Sequence, residues 1–240
     1  MGKNLFLLTL FIILLISTAF IGYQQKKITG AWHLLNGTIE EVLIFQDGYF
    51  SHTTYDKVNK KFIQTRGGTY SFDNDRLHTK IEFSTEDTES IGQSYSYAAN
   101  IQQGYLTADI NGQSMNWNRL DDGEEGLAGN WRITGRLNNG EMNQMQRGDR
   151  KTLKLMSGTR FQWMAINPAT KQFSGTGGGT YTFKDGKYTE NIEFFSRDSS
   201  RVGASLVFDF SLEDKKWRHK GLSSNGQPID EIWTQRERIR

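Results

Sequence analysis

There is no cysteine in the chain. That excludes disulfides, thiolate metal sites, a cysteine nucleophile and a lipid anchor attached through a cysteine. Proline is nearly absent, with 2 residues, and histidine is sparse, with 4. His33, His52, His78 and His219 form no His-x-His or His-Glu-x-x-His spacing, so neither a metal nor another cofactor is expected. An excess of one charge is missing too. The 29 basic and 27 acidic side chains leave a formal net charge of +2, which gives no electrostatic reason for a nucleic-acid partner. No serine or threonine stands in a nucleophile-elbow context, and no enzyme is expected.

Glycine and aromatic residues are plentiful, at 25 glycines and 12% aromatics. That combination suits short strands joined by tight turns better than helices. One long apolar run exists, from Leu5 to Ile21, preceded by Lys3 and followed by Gln24, Gln25, Lys26 and Lys27. A basic start and an apolar run have the layout of a secretory signal, and Ser17-Thr18-Ala19 places small residues for cleavage after Ala19. The run is also close to the minimum for spanning a bilayer, so an uncleaved anchor is the alternative. Either way the chain is expected to be exported (periplasmic, cell-surface or secreted), touching a membrane only through residues 5–21.

The remainder repeats itself. Gly67-Gly68-Thr69-Tyr70-Ser71-Phe72 recurs 111 residues on as Gly178-Gly179-Thr180-Tyr181-Thr182-Phe183, and Ile81-Glu82-Phe83 recurs at the same offset as Ile192-Glu193-Phe194. Gly30-Ala31-Trp32 matches Gly129-Asn130-Trp131 at an offset of 99. Asn111-Gly112-Gln113 matches Asn225-Gly226-Gln227, and Trp117 matches Trp233, at offsets of 114 and 116. The offset only grows, and its largest step inserts 12 residues between Trp131 and Phe161. The expected organisation is a signal or anchor at 1–27, one copy at 28–122 and a second at 123–240, with the acidic run Asp121 to Gly126 as linker.

Each copy reads as strands. Leu206, Phe208 and Phe210 alternate with other residues, as do Phe161, Trp163 and Ala165, with a period of two. Asp185-Gly186 and Asn111-Gly112 are pairs that accept the positive φ of tight hairpins. About eight such runs per copy predict an all-β chain of two tandem antiparallel barrels or barrel-like sandwiches.

A Gly-x-Trp on the first strand and an aromatic residue with an arginine on the last resemble the lipocalin and fatty-acid-binding superfamily. Here they are Gly30-Ala31-Trp32 and Gly129-Asn130-Trp131 at the start, with Trp117-Asn118-Arg119 and Trp233-Thr234-Gln235-Arg236 at the end. The copies are most similar to short lipocalin-like domains of exported bacterial proteins. The resemblance implies that Trp32 and Trp131 plug the closed ends, with Arg119 and Arg236 packed over them. The spacing differs, since Arg119 follows Trp117 by two residues and Arg236 follows Trp233 by three, which sets them on opposite faces unless a bulge intervenes.

Four features could carry chemistry. His219 beside Trp217 is the best haem-ligand candidate, against a plain strand histidine. Glu82 and Glu193 recur in Ile-Glu-Phe and read as outward-facing strand residues rather than a glycosidase pair. Gly175 to Gly179 lacks the ending of a phosphate loop and reads as a hairpin loop. The inserted segment Asn138 to Asp149 carries Met142 and Met145 three apart, enough for one helical turn that could lie over an open barrel end. With Trp163, Phe208 and Trp217 these methionines form the candidate ligand site. The expected function is an exported, non-enzymatic binder of a small apolar or amphipathic molecule. The alternative is an extracellular module that contacts glycan or protein through exposed aromatics.

Overall fold

A computed structural model describes residues 27–110 and 112–235. The signal or anchor segment and Arg236 lie outside the described residues. The first copy forms β1 (Gly30–Asn36), β2 (Ile39–Gln46), β3 (Tyr49–Asp56), β4 (Lys61–Asp73), β5 (Arg76–Ser84), β6 (Ser94–Gln102), β7 (Tyr105–Ile110) and β8 (Gln113–Asp121). Successive strands pair antiparallel, and β8 returns to β1 to close a barrel. The second copy forms β9 (Gly129–Asn138), β10 (Glu141–Gln144), β11 (Lys151–Met156), β12 (Arg160–Asn167), β13 (Gln172–Lys184), β14 (Lys187–Phe195), β15 (Ser205–Glu213), β16 (Lys216–Leu222) and β17 (Pro228–Gln235). It closes through β17 on β9. Since β10 and β11 both pair with β9, end to end, they share one place in the wall and the second barrel also has eight positions around it. Among the described residues, closure leaves no long free edge in either copy.

The repeat in sequence is a repeat in register. Gly68 faces Ile81 as Gly179 faces Ile192, and Leu106 faces Trp117 as Trp217 faces Trp233. Trp32 and Trp131 are both buried, and their indole Nε1 groups donate to the carbonyls of Ile28 and Leu127 at 2.8 and 2.9 Å. Arg119 lies over Trp32, its guanidinium carbon 3.9 Å from the ring centre, and donates to the Thr29 and Lys27 carbonyls. In the second barrel the residue facing Trp131, as Arg119 faces Trp32, is Gln235.

Two local expectations are corrected. The glycine run Gly175 to Gly179 is not a hairpin loop but lies within a strand. Gly67-Gly68 lies inside β4 and Gly178-Gly179 inside β13, each at a bulge in the pairing with the next strand. A Cβ on Gly68 would stand 2.0 Å from the Lys80 carbonyl oxygen, and one on Gly179 2.1 Å from that of Asn191. Glycine is required because the backbones approach too closely for a side chain where the wall bends. Nor does the insertion form a helical turn. Met142 sits in β10, and pairing with β9 decides its conformation. From Gln144 (facing Gly135) to Leu153 (facing Arg132) the chain advances nine residues while β9 advances three, so six residues loop out. The rest of the insertion lengthens the hairpin, whose turn at Asn139-Gly140 stands three residues farther along β9 than its counterpart on β1.

The barrels pack side by side through equivalent faces. Val42, Ile44 and Phe83 of the first meet Leu153, Leu155 and Phe194 of the second, which are the same positions 111 residues on. Phe83 lies against Phe173, and Phe62 against Phe194, contacts that a twofold rotation would exchange. Gln162 bridges the equivalent Thr65 and Thr176 at 3.0 Å each and accepts from Thr53 at 2.8 Å. This arrangement is that of an isologous dimer built from one chain.

Candidate functional site

The two interiors differ. That of the first barrel is filled by Phe45, Phe50, Leu77 and Leu106, with Arg66 and Tyr97 also on its wall, leaving about 30 Å³. By volume that is room for about two waters. The second encloses about 420 Å³, open at one end, within the range of small-molecule sites.

Four aligned interior positions account for the difference in chemistry. Leu43, Thr79, Ala108 and Met115 of the first barrel correspond, through the strand registers, to Lys154, Glu190, His219 and Glu231 of the second. All four ionisable residues are on the cavity wall, at 5% exposure or less. Lys154 Nζ donates to Glu190 at 2.5 Å and lies 5.0 to 5.9 Å from the ring centres of Phe161, Tyr188, Trp217 and Trp233. The Tyr188 hydroxyl donates to the same Glu190 oxygen at 3.0 Å, and burial together with that carboxylate pushes its own ionisation well up. Glu231 accepts from Arg136 at 2.6 Å and from the Trp233 indole at 3.1 Å. Burial works to raise the Glu231 carboxyl, but His219, Arg136 and Lys154 reverse that and hold it at about 2.

Arg136 reaches this cluster because of a bulge. Between the pairs Trp233–Ile133 and Ile232–Gly135, β9 advances two residues and β17 one. The extra residue turns Arg136 to the face of its partner Glu231, on the cavity. It turns Gly135, Ile232 and Met142 together on the other face, where the Met142 sulfur lies 3.3 Å from the site of a Gly135 Cβ.

His219 stands apart from the paired charges. It is 3% exposed, and neither ring nitrogen has a hydrogen-bond partner among the described residues. Nδ1 is 3.7 Å from the Glu231 carboxylate, and the ring lies against Phe208 with centres 3.9 Å apart. Burial, with the Lys154 charge close by, holds it below the ordinary histidine value, so the folded protein carries it neutral.

Of the residues singled out from sequence, Trp163 and Phe208 line the cavity, with Trp163 against Phe195. Trp217 lies one layer below, fully buried, between Tyr188, His219 and Trp233. Met142 is on the outer face and Met145 is exposed, so the structure does not bring them to the wall. Glu82 and Glu193 point out of their own barrels, and the other barrel covers them. Lys151 donates to Glu82 at 2.6 Å, while Glu193 is held by Lys57, Tyr55 and Arg160. Lys154, Glu190, Glu231 and Arg136 were not singled out at all. Their signal was present in the mismatches between the copies, not in the matches.

A family likeness covers this second barrel. Residues 126–239, slightly under half of the chain, match the family described as Domain of unknown function (DUF4488), and no curated protein matches the chain.

Proposed function

We propose that the second barrel is a binding site for one small amphipathic molecule, and that the first barrel is its structural support. The observation that carries this reading is the set of four interior positions that are apolar or small in one copy and ionisable in the other. A buried ion pair contributes little net stability, and apolar side chains of similar size commonly serve as well or better. The first barrel demonstrates that the fold accommodates them. Lys154, Glu190, His219 and Glu231 therefore serve something other than folding. A roomy cavity with aromatic walls and a polar floor fits an amphipathic guest better than a wholly apolar one. The mutual pairing of the charges favours recognition over nucleophilic chemistry. The buried tryptophan on the first strand of each barrel, with Arg119 over Trp32, supports the lipocalin-like reading, and the run from Leu5 to Ile21 supports export, by secretion or by a membrane tether.

The test is a titration of the full chain with anilinonaphthalene sulfonate, an anionic amphipathic dye. One saturable site is expected, quenching tryptophan emission, with the quench reduced in Trp163→Phe. Native mass spectrometry of the same protein should show a small molecule retained on the chain. Absence of both saturable dye binding and any retained molecule overturns the reading.

A further inference from the structure

The cavity has a charge layout that selects among amphipathic guests. Its two buried acids are each paired, Glu190 with the buried Lys154 and Glu231 with Arg136, which is half exposed and reaches in from the rim. A guest's charged group placed among them would find no uncompensated partner. Two further cations stand on the same wall, Arg150 and Arg197, both exposed and therefore at the mouth. Neither has a salt bridge among the described residues. The nearest acid in sequence to Arg197, Asp198, is engaged by Arg201 at 2.9 Å. Arg150 is the last residue of the six-residue loop that the second barrel has and the first lacks. The deep polar group without a partner is neutral His219, which offers one donor and one acceptor. A buried polar group left unpaired costs free energy that a complementary guest atom recovers.

Resting on the binding reading above, we infer that the ligand is an amphipathic anion that enters with a neutral hydroxyl or carbonyl group leading. That group meets His219, the apolar body lies against Trp163, Phe195 and Phe208, and the acidic group remains at the mouth on Arg150 and Arg197. The arrangement discriminates against three kinds of molecule. A plain apolar chain leaves His219 unpaired, a neutral amphiphile leaves the arginines unused, and an acid-first orientation brings an uncompensated anion against Glu190 and Glu231.

Calorimetric titration of the full chain with ω-hydroxydecanoate, decanoate and the α,ω-diol of the same length tests it. The hydroxy acid should bind about tenfold more tightly than either of the others, one hydrogen bond or one screened charge contact being worth that ratio. The double variant Arg150→Gln/Arg197→Gln should weaken both acids about tenfold and leave the diol unchanged. His219→Leu should bring the hydroxy acid down to the level of decanoate, with decanoate unaltered. His219→Gln, which keeps a donor and an acceptor, should retain part of the difference and serves if the leucine variant does not fold. Acids that are indifferent to the arginine pair, or a hydroxy acid no better than decanoate, overturn the inference. So does saturable dye binding with no binding of any of the three probes, an outcome that leaves the barrel a binding site for another class. Absence of both saturable dye binding and any retained molecule in the wild-type protein overturns the binding reading itself.

Discussion

Lys154 and Glu190 form a buried pair in which each partner is tolerable only because of the other. Replacing Lys154 alone with the leucine of the first barrel leaves the Glu190 carboxylate buried with only the Tyr188 hydroxyl, and should cost about 3–5 kcal/mol. The double replacement Lys154→Leu/Glu190→Thr restores the first barrel's pairing and should be neutral to within about 1 kcal/mol, or stabilising, while losing ligand binding. Urea unfolding of the two variants checks this, and equal losses in both contradict it. Acid sensitivity belongs to the same residues. The folded protein holds His219 below its ordinary 6.5, so the unfolded chain binds the extra proton first and stability falls as pH drops below about 6.5, down to the folded value. Glu231 is held at about 2 against an ordinary 4.5. Its contribution is fully present above 4.5 and is lost as pH falls from there towards 2. Burial and Lys154 lower His219 against the pull of Glu231 and Glu190, while His219, Arg136 and Lys154 lower Glu231 against burial. The urea midpoint should therefore decline in two stages on acidification, the upper stage vanishing in His219→Leu and the lower in Glu231→Gln. A midpoint that is flat from about pH 7 to about pH 5 in the wild type contradicts the first stage.

At the scale of elements, the insertion is what separates the barrels. It extends the β9–β10 hairpin and loops out six residues beside the mouth, ending at Arg150. Residues 146–149 are exposed, so deleting them should change stability by less than about 1 kcal/mol. Ligand association and dissociation rates, followed by stopped-flow tryptophan emission, should change, because the rim of the entrance is rebuilt. Unaltered rates would remove the loop from any part in entry. The size and place of this insertion were legible from the step in the repeat offset. Its form was not, because two methionines three apart suit a helical turn in isolation, whereas pairing with β9 supplies hydrogen bonds that no local pattern announces. The glycine pairs misled for a related reason. Two adjacent glycines mark a turn by propensity, yet here they mark backbone contact inside β4 and β13, which depends on strands 80 and 191 residues into the chain. The strand alternation and the burial of Trp32 and Trp131 were readable, since periodicity and burial are local to each strand. The charged interior was readable only by aligning the copies and asking where they disagree, as Thr79 does with Glu190 and Ala108 with His219.

For the whole molecule, the interface between the barrels governs behaviour. It buries an apolar cluster from both copies together with Gln162 and the group around Glu193, whose carboxyl stays below its ordinary value because Arg160 and Lys57 outweigh burial. The two barrels should accordingly unfold in one calorimetric transition. Phe194→Ala, which removes a ring shared by Tyr55 and Phe62, should split it into two. Two transitions in the wild type would show that the interface does not couple the copies. The pseudo-twofold packing has a further consequence, for what this interface is free to become. In a dimer of separate chains every substitution at the interface occurs twice, once on each side of the axis. In the fused chain it occurs once. Gln162 stands where the other copy has Ser51, and Arg160 where it has Tyr49, substitutions whose doubled form would set two guanidinium groups into a shared contact. The short linker between β8 and β9 also makes association intramolecular, so the contact does not have to overcome the translational entropy that separate subunits lose. Covalent fusion thus releases the pair from symmetry, and that release is what allows one half to keep a packed interior while the other hollows out.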